Sequence, residues 1–425
     1  MHDEKSQEHS DSRNLTGQKD GTSRRSFLTQ AMAAGSGLAV MGVVGCGWDT
    51  EAPAVVEAPE EMGDSGLPAG KDLNNFVRHS ENPLALETRR QAFGASVVVP
   101  DELLFVRNNL PTPDPHIVED RDAWELSVTG VANPRTVTVG ELKSLGVETI
   151  ATVLQCSGNG RGFFQHETTG SQWLAGAAGC VVWSGVPVRT VAEALGGVTE
   201  GARFVTGTGG EVLPEGIDSS EVVVERSIPL EKGMEDTLLA WEMNGKPLAL
   251  IHGGPLRLVV PGYFGANQIK YVKDLAFASE ESDAAIMRTG YRIRPIGEGG
   301  DPSQPTMWEM DVKSWINHPS GENRVQAGQV VIHGVAFGGT RSVRGVEISI
   351  NGSQTWLDAP LIGPDMGRYA WRQFALELTL EAGAYTLASR ATDDAGNTQP
   401  AERLENHRGY GNTSWRDHSV TVIVS

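Results

Sequence analysis

Apolar side chains fall at every second position between residues 123 and 131, where Trp124, Leu126 and Val128 alternate with Glu125, Ser127 and Thr129. That period of two predicts a half-buried strand. Residues 136–145 read as a strand running into a short helix that begins at Val139-Gly140-Glu141-Leu142. Residues 256–260 are a short apolar run closed by Pro261-Gly262, the pattern of a buried strand. Long stretches of helical period are scarce, so residues 71–303 read as an α+β region with mixed or antiparallel sheet. Beyond residue 304 the pattern changes. Residues 312–316, 329–335, 345–351, 371–380, 384–390 and 419–424 form six strand candidates separated by turn signals, and Asn351-Gly352 marks a hairpin. That spacing predicts an all-β sandwich of immunoglobulin type over residues 304–425.

Composition narrows the function classes. The chain has 425 residues, enough for two or three domains. Its 54 Asp+Glu against 35 Lys+Arg give a formal net charge of −19, a poor match to nucleic acid, whose binding needs clustered basic charge. The 51 Gly and 22 Pro favour turns and strands over long helices. Three cysteines cannot form a disulfide framework, so each needs its own account.

The first of them closes an address label. Residues 1–22 are polar, and Ser23-Arg24-Arg25-Ser26-Phe27-Leu28 then precedes a mild apolar run from Ala31 to Gly45. This resembles a twin-arginine export signal, a route that carries folded proteins and suits one loaded with a cofactor in the cytoplasm. The run is shorter than the ~20 residues of a membrane-spanning helix. Val43-Val44-Gly45-Cys46 resembles a lipobox, which would make Cys46 a lipid anchor to a membrane and the protein periplasmic or membrane-anchored. Residues 47–70 carry Glu57, Glu60 and Glu61 among Ala, Pro and Gly, and read as a flexible acidic linker.

Two segments carry candidate chemistry. In Val153-Leu154-Gln155-Cys156-Ser157-Gly158-Asn159-Gly160-Arg161 a cysteine ends an apolar strand and enters a Gly-rich turn. A thiolate is a soft metal ligand, and the glycines let backbone approach a large group. A buried free cysteine beside a turn has the same local composition. In the second segment His252, Arg257 and Lys270 bracket a strand and the turn Gly262-Tyr263-Phe264-Gly265. They could converge on a phosphate, or form a solvated basic edge. Cys180, in a small-residue apolar stretch, reads as a core cysteine.

Taken together these segments resemble the sulfite oxidase family of molybdenum enzymes, over residues 75–425 and in order. The resemblance implies an α+β molybdopterin-binding domain followed by the immunoglobulin-like domain, which would serve to form a homodimer. It implies Cys156 as the protein thiolate on molybdenum. Within Phe105-Val106-Arg107-Asn108-Asn109-Leu110-Pro111 it implies Arg107 in the substrate pocket, with Phe105 and Asn109 beside the cofactor. Asp218, His252, Arg257 and Lys270 would hold the molybdopterin, and Arg161 would lie near the metal. Tyr291, in Met287-Arg288-Thr289-Gly290-Tyr291-Arg292, would be the active-site tyrosine, and Arg408, in Asn406-His407-Arg408-Gly409, would reach the anion site. Trp183-Ser184-Gly185-Val186-Pro187 matches a stretch flanking the pocket, and Asp393-Asp394-Ala395-Gly396-Asn397 a structural turn. One departure is Asn109, where the family often has His; Asn donates a hydrogen bond but carries no charge.

The expected activity is therefore oxidation of sulfite, or a related small anionic sulfur compound, to sulfate. No Cys-x-x-Cys-His motif for a c-type haem is present, so the electrons are expected to pass to an external acceptor such as a cytochrome c. Two alternatives remain at this stage: a sulfane-sulfur dehydrogenase subunit of a thiosulfate-oxidising system, and an inactive exported lipoprotein that binds a partner.

Overall fold

The computed structural model describes residues 67–211, 223–321 and 324–425. The export-signal segment, Cys46, most of the acidic linker and Asp218 lie outside the described residues. Among those described, no helix is long and apolar enough to cross a membrane.

Among the described residues, thirteen strands build the first part. They are β1 (Phe76–Glu81), β2 (Leu84–Thr88), β3 (Val106–Arg107), β4 (Glu125–Thr129), β5 (Arg135–Thr138), β6 (Glu148–Gln155), β7 (Ala178–Pro187), β8 (Phe204–Gly209), β9 (Glu225–Pro229), β10 (Leu238–Met243), β11 (Lys246–Pro247), β12 (Arg257–Val259) and β13 (Val272–Ala278). They form three sheets, ordered β1-β2-β3, β11-β10-β7-β6 with β12 also on β10, and β5-β4-β13-β8-β9. Pairing is antiparallel except for β13 on β4. Among the described residues there are three α-helices, all short: α1 (Val139–Ser144), α2 (Val188–Ala194) and α3 (Leu230–Glu235). α1 starts where the sequence pattern places it. Thr138 accepts from the Glu141 N–H while the Glu141 carboxylate accepts from the Thr138 N–H, a reciprocal cap that satisfies two otherwise unpaired donors.

The second part holds all six expected strands and two short additions: β14 (Lys313–His318), β15 (Gly328–Phe337), β16 (Val343–Ser349), β17 (Leu357–Ala359), β18 (Leu361–Ile362), β19 (Arg372–Leu380), β20 (Gly383–Asp393) and β21 (Val420–Val424). Two four-stranded antiparallel sheets, β14-β15-β19-β18 and β17-β16-β20-β21, face each other. Ile332 and Phe374 from one sheet meet Ile348, Leu387 and Val422 from the other in a common core. Asn351-Gly352 does sit in a hairpin, between β16 and β17, but the pairing resumes only at Ile348 with Leu357. The loop is longer than two residues because Asn351 Oδ1 accepts from the Thr355 N–H and the Ser349 hydroxyl, holding a wider turn.

The two parts share a hydrophobic core. Trp315 and Trp371 pack with Phe93 and Phe337, at ring-centroid distances of 5.8 to 6.3 Å. Trp371 Nε1 donates to the Val97 carbonyl at 2.6 Å. The Val153 N–H, on β6, donates to the Tyr369 carbonyl at 2.9 Å. The strand that leads to Cys156 is thus braced by the second part of the chain.

Candidate active site

Strand ends and loops from both described parts converge on one cleft. β6 is buried through Val153 and Leu154 and ends at Gln155. The Cys156 N–H donates to the Ala177 carbonyl at 2.9 Å, and the chain then turns as the Asn159 N–H donates back to the Cys156 carbonyl. Gly160 closes the turn at φ 98°, a left-handed conformation that favours glycine. The Asn159 side chain fixes the loop from behind: Nδ2 donates to Gln155 Oε1 at 3.0 Å, and Oδ1 accepts from the Ala177 N–H at 3.1 Å. Cys156 is left half-buried, with a free thiol.

That thiol lines an open cavity. Phe105, Arg107, Asn109, Cys156, His252, Arg257, Lys270 and Tyr291 all line it, so eight of the residues selected from the sequence meet in one place. A second cavity adjoins it, and Arg107, Asn109, Val224 and Tyr291 line both. Arg408 and Tyr410 line the second. Arg161 lines neither. Its guanidinium folds over Gly158, where a Cβ would fall 2.5 Å from its terminal nitrogen. It donates through Nε to the Arg408 carbonyl at 2.8 Å and through Nη1 to the Ser171 carbonyl at 3.0 Å. It ties the Cys156 loop to the loop of Arg408.

The basic trio is not a solvated edge: His252 and Arg257 are buried, each 3% exposed, and Lys270 is half-buried. Lys270 Nζ donates to Asn108 Oδ1 at 2.6 Å and to the Ile251 carbonyl at 2.5 Å. Arg257 donates to the His252 carbonyl at 2.7 Å and stacks over Trp183. Among the described residues none of the three is in an ion pair. Burial, with mutual repulsion, pushes Lys270 and His252 well below their ordinary values, and burial pushes Arg257 down to about 10. Arg257 Nε, Asn108 Nδ2 and Ser157 Oγ are buried without a hydrogen-bond partner. Buried polar groups normally find partners, so these donors and cations are arranged for a polyanionic guest.

Sequence reasoning missed Asn108, Ser157, Glu211 and Tyr410. Glu211 lines the first cavity, two residues beyond β8. Burial pushes its carboxyl up to about 7, against the pull of Lys270 and Lys273. It is the acid that the structure brings to the trio; the acid chosen from the sequence, Asp218, is outside the described residues. Tyr410 stacks on Tyr291 with ring centroids 5.3 Å apart and planes 20° apart. Burial pushes its phenol up to about 12. Tyr291 OH donates to Asn109 Oδ1 at 3.3 Å, so the residue that departs from the family pattern is the one that orients the tyrosine. Tyr291 follows a single π-helical turn, Ile286–Gly290, a deformation frequent at functional sites.

The depressed His252 gives a pH prediction for the protein without cofactor. The unfolded imidazole takes a proton near pH ~6.5, whereas the folded one does so only at lower pH. Below ~6.5 the unfolded state therefore binds the extra proton, and stability falls by up to ~1.4 kcal/mol per pH unit from this residue. Urea midpoints between pH 5 and 8 measure this. An anionic guest beside His252 raises its folded value, so the loaded protein is expected to give a flatter profile. Equal slopes for the two forms would contradict an anion seat there.

Comparison with known proteins agrees with this geometry. A protein-family model described as oxidoreductase molybdopterin binding domain matches residues 111–286, and one described as Mo-co oxidoreductase dimerisation domain matches residues 304–424. Mitochondrial sulfite oxidase of Rattus norvegicus is 30% identical over 399 residues, covering 86% of this chain and 70% of that protein. Sulfite oxidase of Arabidopsis thaliana is 30% identical over 365 residues, covering 79% of this chain and 91% of that protein. The crystal structure of the sulfane dehydrogenase SoxCD from Paracoccus pantotrophus has the same fold, with a TM-score of 0.68 at 24% identity, covering 95% of this chain and 100% of that one.

Proposed function

Because this chain belongs to the sulfite oxidase family of molybdenum-dependent oxidoreductases, we propose that it oxidises sulfite, or a closely related reduced sulfur anion, to sulfate, passing the electrons to an external carrier such as a cytochrome c. It is an enzyme whose cofactor is Mo-molybdopterin. The cleft fits that group on chemical grounds: a free thiol at one end suits a soft metal, and buried unpaired donors and cations suit a phosphate. Cys156 would ligate the metal, and His252, Arg257 and Lys270, with Asn108, would hold the pterin and its phosphate. When bound, the cofactor supplies the two-electron redox change and the transferable oxygen.

The chain's own residues supply position and charge. Arg107 and Arg408 would hold the sulfur anion from two sides of the shared wall, and Tyr291 would turn its hydroxyl from Asn109 to an anion oxygen. The observation that carries this reading is the meeting of Cys156, the basic trio, Arg107 and Tyr291 around one cavity. Purification from a molybdenum-replete host tests it. About one molybdenum per chain is expected, with sulfite-dependent reduction of ferricyanide or cytochrome c. Bound molybdenum with no sulfur anion oxidised would refute the reading, and oxidation of carrier-bound sulfane sulfur in place of sulfite would favour the sulfane-dehydrogenase alternative. For Arg107→Ala, loss of one charge-assisted hydrogen bond of ~1.5–3 kcal/mol should raise the sulfite KM ~10–100-fold. An unchanged KM would exclude Arg107 as a holder of the anion.

The finer assignments belong to the same proposal. Residues 71–303 and 304–425 are taken as the two domains, the second an immunoglobulin-type sandwich that pairs two chains. Residues 1–46 would direct twin-arginine export, and a lipid on Cys46 would hold the enzyme to a membrane by way of the 47–70 linker. Cell fractionation of Cys46→Ala checks this: the variant should move to the soluble fraction, and an unchanged distribution would exclude the anchor.

A further inference from the structure

Tyr410 is held in place from several directions. Gly409 and Gly411 flank it at φ 61° and 65°, left-handed conformations that favour glycine. The Asn406 side chain clasps its backbone: Oδ1 accepts from the Tyr410 N–H and Nδ2 donates to the Tyr410 carbonyl, both at 2.9 Å. The ring is 3% exposed and stacks on Tyr291 at 5.3 Å. The guanidiniums of Arg161 and Arg408 lie over it at 5.3 and 5.8 Å, and that of Arg226 lies over Tyr291 at 5.4 Å. Cations are attracted to aromatic faces, so backbone, stack and cations all fix this ring. Its hydroxyl is spent on none of them. Among the described residues that hydroxyl has no hydrogen-bond partner, whereas the Tyr291 hydroxyl donates to Asn109. Tyr410 borders the second cavity together with Arg107, Arg408 and Tyr291.

We propose that Tyr410 is a second substrate-binding phenol, its hydroxyl donating to an oxygen of the bound sulfur anion beside Tyr291, Arg107 and Arg408. This rests on the reading of the site as a sulfur-anion oxidase and adds to it a residue that touches substrate. A donor fixed before the anion arrives needs no reordering when it binds. Neutrality suits this wall as well. Arg161, Arg226 and Arg408 already lie over the two rings, and a further cation would meet their repulsion where a phenol does not. Burial, with the neighbouring Tyr291 and Cys156, pushes the Tyr410 phenol up to about 12 against the pull of Arg408 and Arg161. It therefore keeps its proton at neutral pH and donates to an anion instead of repelling it. No proton changes hands in this role.

The test compares the molybdenum-loaded enzyme with its Tyr410→Phe and Tyr410→Leu variants. Tyr410→Phe removes one oxygen and keeps the stack on Tyr291. It should raise the sulfite KM by about 10-fold, the scale of one hydrogen bond to a charged group, with kcat within about 2-fold of the parent enzyme, as loss of uniform binding requires. Sulfate binds without turnover, and calorimetry should show its affinity falling by the same factor. Tyr410→Leu also takes the ring away from Tyr291 and should lower kcat in addition. A Phe variant that matches the parent in both KM and sulfate affinity, with only the Leu variant impaired, would make Tyr410 a stacking support and overturn the inference. A Phe variant that melts lower or fails to fold would show that the hydroxyl bonds within the protein, and overturns it too. In both cases sulfite oxidation by the parent enzyme leaves the reading of the function standing. Parent enzyme that holds molybdenum and oxidises no sulfur anion overturns that reading, and this inference with it.

Discussion

Cys156→Ser is expected to lower turnover by more than the ~10–100-fold that follows loss of a residue merely supporting a metal site. Serine matches cysteine in size, so the turn from Cys156 to Gly160 and its hydrogen bonds to Ala177 survive. What disappears is the soft, ionisable sulfur, and a hydroxyl is a poor substitute for it on a soft metal. The variant should therefore melt with the parent and turn over little or no sulfite. Full turnover would exclude Cys156 as a ligand. Cys180 is the internal control. It is completely buried beside β6, and burial pushes its thiol up to about 12. Alkylation of the cofactor-free protein, mapped by peptide mass, should mark Cys156 and spare Cys180.

Lys270→Met should separate loading from stability. The lysine is half-buried, its ammonium donates to Asn108 and the Ile251 carbonyl, and the acid beside it, Glu211, is itself held up to about 7 by burial and so is only partly charged at neutral pH. In the loaded enzyme it would face a phosphate, and losing such a charge-assisted contact costs ~1.5–3 kcal/mol, or ~10–100-fold in cofactor retention. In the cofactor-free protein the sign reverses. Burying a charge without an opposite partner is unfavourable, so the methionine variant should unfold at a higher urea concentration than the parent. Cofactor-free stability that falls with the substitution would mean that Lys270 serves the fold and not a guest. Measuring both forms of one preparation gives the two signs directly.

The residues legible in the sequence are those whose role is fixed by a short stretch of chain. Cys156 ends an apolar strand and enters a Gly-rich turn, and each step of that argument is local. The strand pattern after residue 304 was legible for the same reason, since alternation and turn residues act over a few positions. The strands β17 and β18 were not, because three and two residues carry no period. Glu211 was illegible because nothing near it marks a site. It reaches the cavity only because β8 lies between β13 and β9 and ends beside Lys270. Arg161 shows the opposite failure. Its position close after Cys156 suggests a cavity-facing cation, but Gly158 leaves room for the side chain to fold back, and the Arg408 carbonyl receives it. Tyr410 had no signal of its own; its partner is 119 positions upstream, and only the folded chain stacks the two rings.

The loop from residue 406 to residue 412 is tied to the Cys156 turn three times over, by Arg161 Nε on the Arg408 carbonyl, by the Gly411 N–H on the Ser157 carbonyl, and by Asn412 Nδ2 on the Gly160 carbonyl. Triple tethering makes the Arg408 loop and the thiol turn one mechanical unit: a shift in either drags the other along, so the residue that would grip the metal and the one that would grip the anion cannot drift apart independently.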